Sequence, residues 1–268
     1  MKNLLEFLLK RVQIYAQYYK APEYRNWYFR QSKRLLKFRD IHRNSDCFII
    51  GNGPSLKHMD LKPLKDYYTF GLNKIYLLFE KIDLGLSYHV AVNPLVIEQS
   101  AKEFELLSCP SFLPYHVAGK FIKACEHIYF IMTGGTHRFD GGDIIKEICE
   151  GYTVTYVAMQ IAYYMGFSRV FLIGVDHNYN FSGNPNEERL LTGEDTNHFD
   201  ARYFGNHKWH NPDLPGSELS FQMARFYFER AGRSIYDATV DGKLSIFPKI
   251  SYEQALATCQ TKQHTILH

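Results

Sequence analysis

The stretch CFIIGNGPSL, residues 47–56, predicts the start of an α/β fold. Its first four residues, 47–50, are apolar and rich in β-formers, and a glycine follows them. A short apolar run that ends at glycine is typical of a buried strand in a parallel sheet. Gly51, Asn52 and Gly53 then allow a tight turn, and the proline after them suits the first turn of a helix. The stretch therefore predicts a strand, a glycine turn and a helix in succession.

The glycine turn also predicts a phosphate-binding corner. A turn of this kind between a strand and a helix leaves backbone N–H groups directed at one spot, where they attract an anion. We therefore expect a nucleotide to contact Gly51, Asn52, Gly53 and Ser55. A tight turn without a ligand uses the same residue types, so this motif alone leaves the structural interpretation open.

Two further strands are predicted after the turn, and each ends on asparagine. Residues 68–73 (YTFGLN) and 88–93 (YHVAVN) end on Asn73 and Asn93. In open α/β sheets, ligands bind beyond the carboxyl ends of the strands, so these amides are expected to line one crevice together with Asn52. The alternative is that asparagine simply favours turns.

Residues 153–179 carry the strongest structural signal in the chain. Apolar side chains at helical spacing predict a helix that ends at Gly166, a residue suited to a left-handed C-terminal cap. Residues 169–176 (RVFLIGVD) then predict a central buried strand that ends on Asp176. We expect Asp176 at the same ligand crevice or, alternatively, as the cap of a turn without a functional role.

A long polar segment, residues 183–215, follows this strand. It has no regular hydrophobic period, which predicts an ordered loop or lid of the kind that carries function. His198, His207 and His210 lie within thirteen positions of it. One of them is expected to be a general base, because a neutral imidazole suits the removal of a hydroxyl proton. Three histidines without a cysteine are a poor zinc pattern, so no metal is expected.

Length and composition predict one large α/β domain or two small ones, with a basic N-terminal arm. Of 268 residues, 46% are hydrophobic, which is enough for a sizeable core. The net charge of +3 divides unevenly, because residues 1–45 carry 11 Lys or Arg and 3 Asp or Glu while the remainder is mildly acidic. This division argues against nucleic acid as the partner of the body. We expect an arm over 1–45, a nucleotide-sugar-binding catalytic domain over 46–252 and a tail over 253–268.

The arm contains two basic amphipathic pieces. Apolar side chains from Leu4 to Tyr19 fall at helical spacing among cations, and residues 24–39 interleave aromatic and basic side chains. Such helices can lie in the interface of an anionic membrane. Alternatively, they pack on their own domain or on a second subunit of a homo-oligomer.

Cysteine content and hydropathy predict a cytoplasmic protein. The five cysteines are an odd number without a CxxC pair, which argues against a disulfide framework and a zinc knuckle. No apolar run is long enough to cross a bilayer, and no small-residue cleavage site follows the N-terminus. Peripheral attachment to the inner membrane is expected if the arm binds lipid.

Several motifs occur together in the order known from one group of proteins. GNGPSL after a strand, the strand-end asparagines and the unit MQIAYYMGFSRVFLIGVDHNY resemble bacterial sialyltransferases of glycosyltransferase family 42. NHFDARYFG, WHNPD and GRSIYDATVDGKLSIF are even more similar to the related DUF115 (MptE-like) proteins. The resemblance covers residues 46–252. It implies a Rossmann-like, mostly parallel sheet flanked by helices, a variant of the GT-A fold with a lid-like loop.

The resemblance also implies roles for individual residues. The nucleotide contacts that it implies are Gly51, Asn52, Gly53, Asn73 and Asn93. We also expect Ser55, Thr155 and Asp176 to contact the nucleotide. Tyr179 would hold the departing phosphate, and a histidine would deprotonate the acceptor. His207 matches the sialyltransferase order, Tyr-Phe-Gly followed by histidine, and His210 ranks level with it ahead of His198. The family's Thr-Ser-Gly before the long helix is Thr-Val-Thr at 153–155, so strict use of sialic acid is not implied.

Three functions are consistent with these patterns. The first is metal-independent, inverting transfer of a sugar (sialic acid, Kdo or similar) from a CMP-activated donor to a surface glycan or glycolipid, without a further cofactor. The second is Mg²⁺-dependent pyrophosphoryl transfer to a pterin-like alcohol, as in 6-hydroxymethylpterin diphosphokinases, with Asp176, Asp195 and Asp200 as available carboxylates. The third is a non-catalytic nucleotide-binding protein at the membrane.

Overall fold

The computed structural model describes residues 21–135, 139 and 142–262. Within these residues the chain forms ten strands and six α-helices. The strands are β1 (Asp46–Ile50), β2 (Thr69–Leu72), β3 (Tyr88–Val90), β4 (Ser111–Pro114), β5 (Ile128–Gly134), β6 (Glu147–Cys149), β7 (Arg169–Ile173), β8 (Glu188–Leu190), β9 (Lys208–His210) and β10 (Ser234–Asp237). The α-helices are α1 (Pro22–Arg30), α2 (Pro94–Glu105), α3 (Tyr115–Ala118), α4 (Val154–Met165), α5 (Leu214–Arg230) and α6 (Tyr252–Thr258). Short 3₁₀ helices cover Ser32–Phe38, Pro54–His58, Lys62–Asp66 and Ile75–Leu78.

Eight of the strands form one parallel sheet, in the order β10-β7-β1-β2-β3-β4-β5-β6. The chain moves outward from β1 to β6 and then crosses back to place β7 on the other side of β1. Such a reversal is the switch point at which open α/β sheets bind ligands. The predicted Rossmann-like α/β class is confirmed. β8 and β9 form a separate antiparallel hairpin within the predicted lid.

β1 lies at the centre of the switch point. All five of its residues are buried, and both of its edges are paired, so that Ile50 lies opposite Ile173 of β7 and Gly71 of β2. At the other end, Arg169 donates to both carboxylate oxygens of Asp46, at 3.0 and 2.6 Å. The predicted strand over 47–50 is confirmed, since this apolar run is buried between two neighbouring strands of the parallel sheet.

α4 confirms the helix predicted before β7. Thr153 caps its N-terminus, and Gly166 closes its C-terminus in the left-handed conformation with a φ of 92°. Ten of its twelve residues are buried, since the helix packs on the central strands and on α5. The N-terminus of α4 therefore lies at the same edge of the sheet as the carboxyl ends of the strands.

Two elements differ from the sequence predictions. The helix expected after the glycine turn is a short 3₁₀ helix over Pro54–His58, and it ends where Met59 adopts extended backbone angles. Residues 243–247 (KLSIF) are also a short run that predicts a strand from the sequence, but the structure has no strand there. Instead, Lys249 forms an isolated parallel bridge to Asp237 of β10.

The second half of the predicted arm is part of the domain. Trp27 is fully buried, and its indole Nε1 donates to the carbonyl of Phe130 in β5 at 2.8 Å. Leu35 and Phe38 join the same core, and Arg34 donates to the carbonyl of Ile128 at 2.9 Å. The boundary expected at residue 45 therefore does not separate an arm from the core. The first predicted helix, over residues 4–19, lies outside the described residues.

The predicted tail also packs on the domain as far as it is described. Ala255 in α6 is fully buried, and the carbonyl of Thr258 at the end of this helix accepts the guanidinium of Arg169 at 2.7 Å. Lys262 donates to the carbonyls of Lys65 and Gly85. None of the helices in the described residues is long and apolar enough to cross a membrane. Peripheral membrane binding by residues 1–45 stays a prediction.

Candidate functional site

A cavity of about 470 Å³ opens at the carboxyl edge of the sheet, where the switch point lies. The ends of β1, β2, β3 and β7 form one wall, and the starts of α4 and α5 and the polar segment form the others. The cavity brings together eight of the residues singled out from the sequence: Gly51, Asn52, Asn73, Asn93, Thr155, Tyr179, His198 and His210. Gly53, Ser55, Asp176 and His207 are not among the residues that line it.

The backbone of the glycine turn is occupied by the protein itself. Gly51 donates its N–H to the carbonyl of Ile173, and Gly53 donates to the carbonyl of Gly174, both at 2.8 Å. The N–H of Ser55 donates to Asp176 Oδ1 at 3.0 Å. The prediction of a cradle of free N–H groups is therefore wrong for these three residues. The turn is instead anchored to the chain that leaves β7.

Asp176 has the structural role that the sequence left open as an alternative. Its Oδ2 accepts the hydroxyl of Ser55 at 2.7 Å, and a Cβ atom at Gly53 would lie 1.8 Å from the same oxygen. The carboxylate thus occupies the start of the 3₁₀ turn, where an anion had been expected. Burial raises the pKa of Asp176, while the hydrogen bonds from Ser55 lower it.

The three strand-end asparagines divide into two groups. The amide oxygens of Asn52 and Asn73 are buried in the cavity wall and accept no hydrogen bond from any described residue. Asn93 differs, because its Oδ1 accepts the N–H groups of Leu95 and Val96 and caps α2. A buried acceptor without a partner costs free energy, so Asn52 and Asn73 are suited to a ligand that supplies donors.

His198 forms a buried pair with Asp195 on the cavity wall. Its Nδ1 lies 2.8 Å from Asp195 Oδ2, and its ring stacks on Tyr203 with centroids 3.9 Å apart. Asp195 also accepts the N–H groups of Asn197 and Phe204, which hold its carboxylate in place. A proton on Nδ1 that is donated to Asp195 leaves the lone pair on Nε2. This is the arrangement of an oriented general base.

The other two histidines of the polar segment lie in different surroundings. His210 ends β9, is half-buried and lines the cavity. His207 is exposed and does not line the cavity, and its backbone bonds to Phe204 and Leu191. Of the two histidines ranked level from the sequence, only His210 lines the cavity, so the position of His207 does not support its rank. His198, which the sequence ranked third, has the geometry of a base.

A fourth histidine was missed by the sequence reasoning. His177 follows β7 in the left-handed region, with a φ of 51°, and lines the cavity. Its Nε2 lies 2.9 Å from Oε1 of Glu218 in α5. The available signal was its place directly after Asp176 at the end of a central strand. Two histidines of the cavity wall are thus each paired with a carboxylate that does not itself line the cavity.

Tyr179 and the start of α4 offer hydrogen-bond donors to the cavity. The ring of Tyr179 is 36% exposed, but the surrounding protein, followed by the carboxylates of Asp176 and Asp195, raises the pKa of its hydroxyl to about 12. The hydroxyl therefore keeps its proton at neutral pH. Thr155 is buried in the first turn of α4, and its N–H donates to the capping Thr153 Oγ1. A helix N-terminus at this position favours an anion.

The described residues that line the cavity include no Lys or Arg, and the acidic side chains among them are Glu150 and Asp213. The carboxylates considered for Mg²⁺ serve other partners. Asp176 binds Ser55, Asp195 binds His198, and Asp200 accepts the guanidinium of Arg202 at 2.9 Å. Across the described residues, no cluster of three or more His, Cys, Asp or Glu could hold a metal ion.

Residues 20–181 match the family described as 6-hydroxymethylpterin diphosphokinase MptE-like. The chain belongs to this MptE-like family. The resemblance inferred from the motifs is confirmed, and the match begins well before residue 46, in agreement with the packing of α1 on the core. No curated protein sequence gives a significant match.

The fold of this MptE-like chain also occurs in a larger solved protein. The structure of the MAf glycosyltransferase from Magnetospirillum magneticum AMB-1 superposes with a TM-score of 0.51 at 14% sequence identity. The superposition covers 87% of this chain and 39% of that one, so the chain spans about two fifths of the larger protein. At this identity the likeness shows a shared fold.

Proposed function

We propose that the chain is an inverting glycosyltransferase that uses a CMP-activated sugar, such as sialic acid, Kdo or a related acid, and a glycan acceptor. The observation that carries this proposal is the buried His198–Asp195 pair in a cavity at the switch point of a parallel sheet. Such a pair suits the removal of a proton from an acceptor hydroxyl. The shared fold with a protein named as a glycosyltransferase supports the same class.

In the proposed reaction, Nε2 of His198 takes the proton of the acceptor hydroxyl as that oxygen attacks the anomeric carbon. The bond from this carbon to the phosphate oxygen breaks, and CMP leaves with the electron pair. Asp195 keeps the imidazole in the required tautomer and stabilises the imidazolium that forms. The hydroxyl of Tyr179 and the N-terminus of α4 stabilise the charge on the phosphate.

The polarity of the cavity favours a monophosphate donor. With no Lys or Arg among its described lining residues, the cavity suits the single negative charge of a CMP-sugar phosphodiester better than a diphosphate. The free amide oxygens of Asn52 and Asn73 would accept the amino group of cytosine or the ribose hydroxyls. Each such bond removes the cost of a buried acceptor without a partner.

The test is a thermal-shift screen of CMP, CDP, UDP, GDP and ATP, each with and without Mg²⁺. CMP is expected to raise the melting temperature without metal, because a ligand that binds only the native state stabilises it by mass action. Asn52→Ala should abolish the shift. Asn93→Ser, which keeps an N-cap on α2 and removes the amide, is the matched control and should retain it.

The family description favours a second candidate, pyrophosphoryl transfer from ATP to a pterin-like alcohol. This chemistry needs Mg²⁺ on the phosphates. A larger shift with Mg-ATP than with CMP would therefore overturn the glycosyltransferase proposal. Binding of CMP without hydrolysis or transfer of any CMP-sugar would point to the third candidate, a non-catalytic nucleotide-binding protein.

A further inference from the structure

A second group of polar side chains lines the cavity where α5 begins, and none of the roles above uses it. The group consists of Asn211, Asn186, Asp213 and Tyr152. We propose that it is a subsite for the sugar ring of the donor, in which Asn211 Oδ1 accepts a hydrogen bond from a hydroxyl or acetamido N–H of the sugar. The proposal rests on the glycosyltransferase function and specifies where the sugar lies.

The amide of Asn211 has a defined orientation and a free acceptor. Its side chain belongs to a residue that is 2% exposed, and Nδ2 donates to the carbonyls of Ser182 and Asn184 at 2.8 and 3.0 Å. Both N–H groups are therefore used, and a flipped amide would direct its oxygen at two carbonyls. Oδ1 is buried, yet it accepts no bond from the described residues.

The backbone around Asn211 is equally constrained. Its N–H donates to the carbonyl of Glu187 at 3.0 Å, and its carbonyl accepts the N–H of Asn186 at 2.9 Å. Four hydrogen bonds, made by Nδ2, the N–H and the carbonyl of Asn211, therefore fix the position of its amide oxygen before any ligand binds. A preorganised acceptor of this kind loses little entropy on binding. Oδ1 has no donor among the described residues, so a ligand can supply the hydrogen bond that it lacks.

A chain of contacts places the other members of the group beside Asn211. Asn186 Nδ2 donates to Asp213 Oδ2 at 3.1 Å, and Asp213 Oδ1 accepts the N–H of Gly216 at 2.9 Å as the cap of α5. The ring of Tyr152 packs on Gly216, since a Cβ atom there would lie 2.6 Å from it. Tyr152 is 37% exposed and lines the cavity, where its ring can also pack against the C–H face of a sugar.

This end of the cavity presents acceptors rather than donors. The amide oxygen of Asn211 and the carboxylate of Asp213 suit hydroxyl and N–H donors, and they disfavour a phosphate. The phosphate is therefore expected nearer to Tyr179 and the start of α4, with the sugar ring extending toward α5. A sugar that carries its own carboxylate would direct that group away from Asp213.

The test uses ligand-observed saturation-transfer NMR on the full chain, with free N-acetylneuraminic acid, N-acetylglucosamine and galactose as probes, with and without CMP. Asn211→Ala is expected to weaken the binding of the bound probe at least tenfold. Asn197→Ala is the matched control, because Asn197 is a buried amide of the same segment whose two ends bond to the backbone of Asn180. Asn197 does not line the cavity, so its variant should lose stability and retain binding.

If Asn211→Ala does not fold by circular dichroism, Tyr152→Leu replaces it, since this change removes the ring and keeps the amide. Equal binding by the wild type and the variant would overturn the subsite, as would the absence of binding by every probe in the presence of CMP. A probe that binds through Asn211 while CMP gives no thermal shift would leave the subsite standing and refute the CMP part of the proposed function.

Discussion

At the residue scale, His198 is held by contacts of two kinds. Asp195 fixes the tautomer through Nδ1, and the stacked ring of Tyr203 fixes the plane of the imidazole. In its proposed role as the base, His198 would not have to reorganise when the acceptor binds. His207 has neither contact, although it lies only nine positions further along the chain.

His198→Ala is expected to lower the rate of sugar transfer by about a hundredfold to ten-thousandfold, the usual cost of losing a general base. CMP affinity should change little, because a base acts on the acceptor rather than on the donor. The measurements are the transfer rate and, separately, the dissociation constant of CMP by calorimetry. His207→Ala is the matched control and should keep near-normal turnover; a loss there equal to that of His198→Ala would refute the assignment.

Gly53 and Asp176 form a second unit at the residue scale. Gly53 has a φ of −68°, which alanine adopts without strain, so the barrier to a side chain is the nearby carboxylate. Gly53→Ala is expected to lower the free energy of unfolding by about 1–3 kcal/mol, the usual cost of overpacking. In an Asp176→Ala background the same change should cost less, although the carbonyl of Gly174, 2.9 Å from the added Cβ, keeps part of the penalty. Urea unfolding of the wild type, the two single variants and the double variant measures this coupling. Strictly additive losses in the free energy of unfolding would refute it.

At the element scale, α1 is a layer of the domain and not a separate arm. Trp27 lies in its buried face, whereas Phe29, two residues later, is 68% exposed. Two aromatic residues of one helix therefore have opposite surroundings. Membrane binding by this region, if it occurs, involves the exposed face and leaves the core contacts of α1 in place.

Trp27→Ala is expected to destabilise the protein by about 3–5 kcal/mol, because it removes a fully buried indole and its hydrogen bond to Phe130. Phe29→Ala serves as the control and should change the free energy of unfolding by less than about 0.5 kcal/mol. Denaturant unfolding at neutral pH measures both. Similar midpoints for the two variants would show that α1 does not belong to the folded core.

At the scale of the whole molecule, two histidines are buried in the neutral form. His42 stacks on Phe167 and lies 2.5 Å from the hydroxyl of Tyr88 through Nε2, and burial lowers its pKa to about 4. His89 is fully buried between the hydroxyl of Ser111 and the carbonyl of Asn73, and burial lowers its pKa to about 4 as well. His89 therefore also holds the backbone of a cavity residue.

The protein is expected to lose stability as the pH falls from about 6.5 toward 4. In this range the unfolded chain binds protons at both histidines while the native state does not. The contribution of the two neutral histidines to the free energy of unfolding is therefore complete above the pKa that histidine has in the unfolded chain, and it is lost as the pH falls below that value. The loss should be on the order of 2 kcal/mol for each histidine. Asp176 acts in the opposite sense, because its raised pKa favours the protonated native form. Urea unfolding at a series of pH values, compared between wild type and His42→Phe, isolates the share of His42; parallel pH profiles would contradict it.

The local pattern of the sequence determined the main elements of this protein. β1, β7 and α4 were predicted with bounds close to those observed, because each depends on a run of apolar residues at strand or helix spacing and on a glycine at its end. The parallel order of the strands follows from such buried runs joined by crossovers. The crevice at the carboxyl edge was predicted for the same reason, since parallel strands end together.

Only the tertiary structure decided what the individual side chains at that edge do. Asp176 caps a turn that lies 121 positions away in the sequence. Asn93 caps its own helix, whereas the amide oxygens of Asn52 and Asn73 accept no hydrogen bond from the described residues. His198, and not His207, pairs with a carboxylate. The sequence places all of these residues near the crevice, but a polar side chain acquires its role from the partner that packing brings to it. Such partners come from other strands and helices, so they follow from the assembled fold and not from the pattern of one segment.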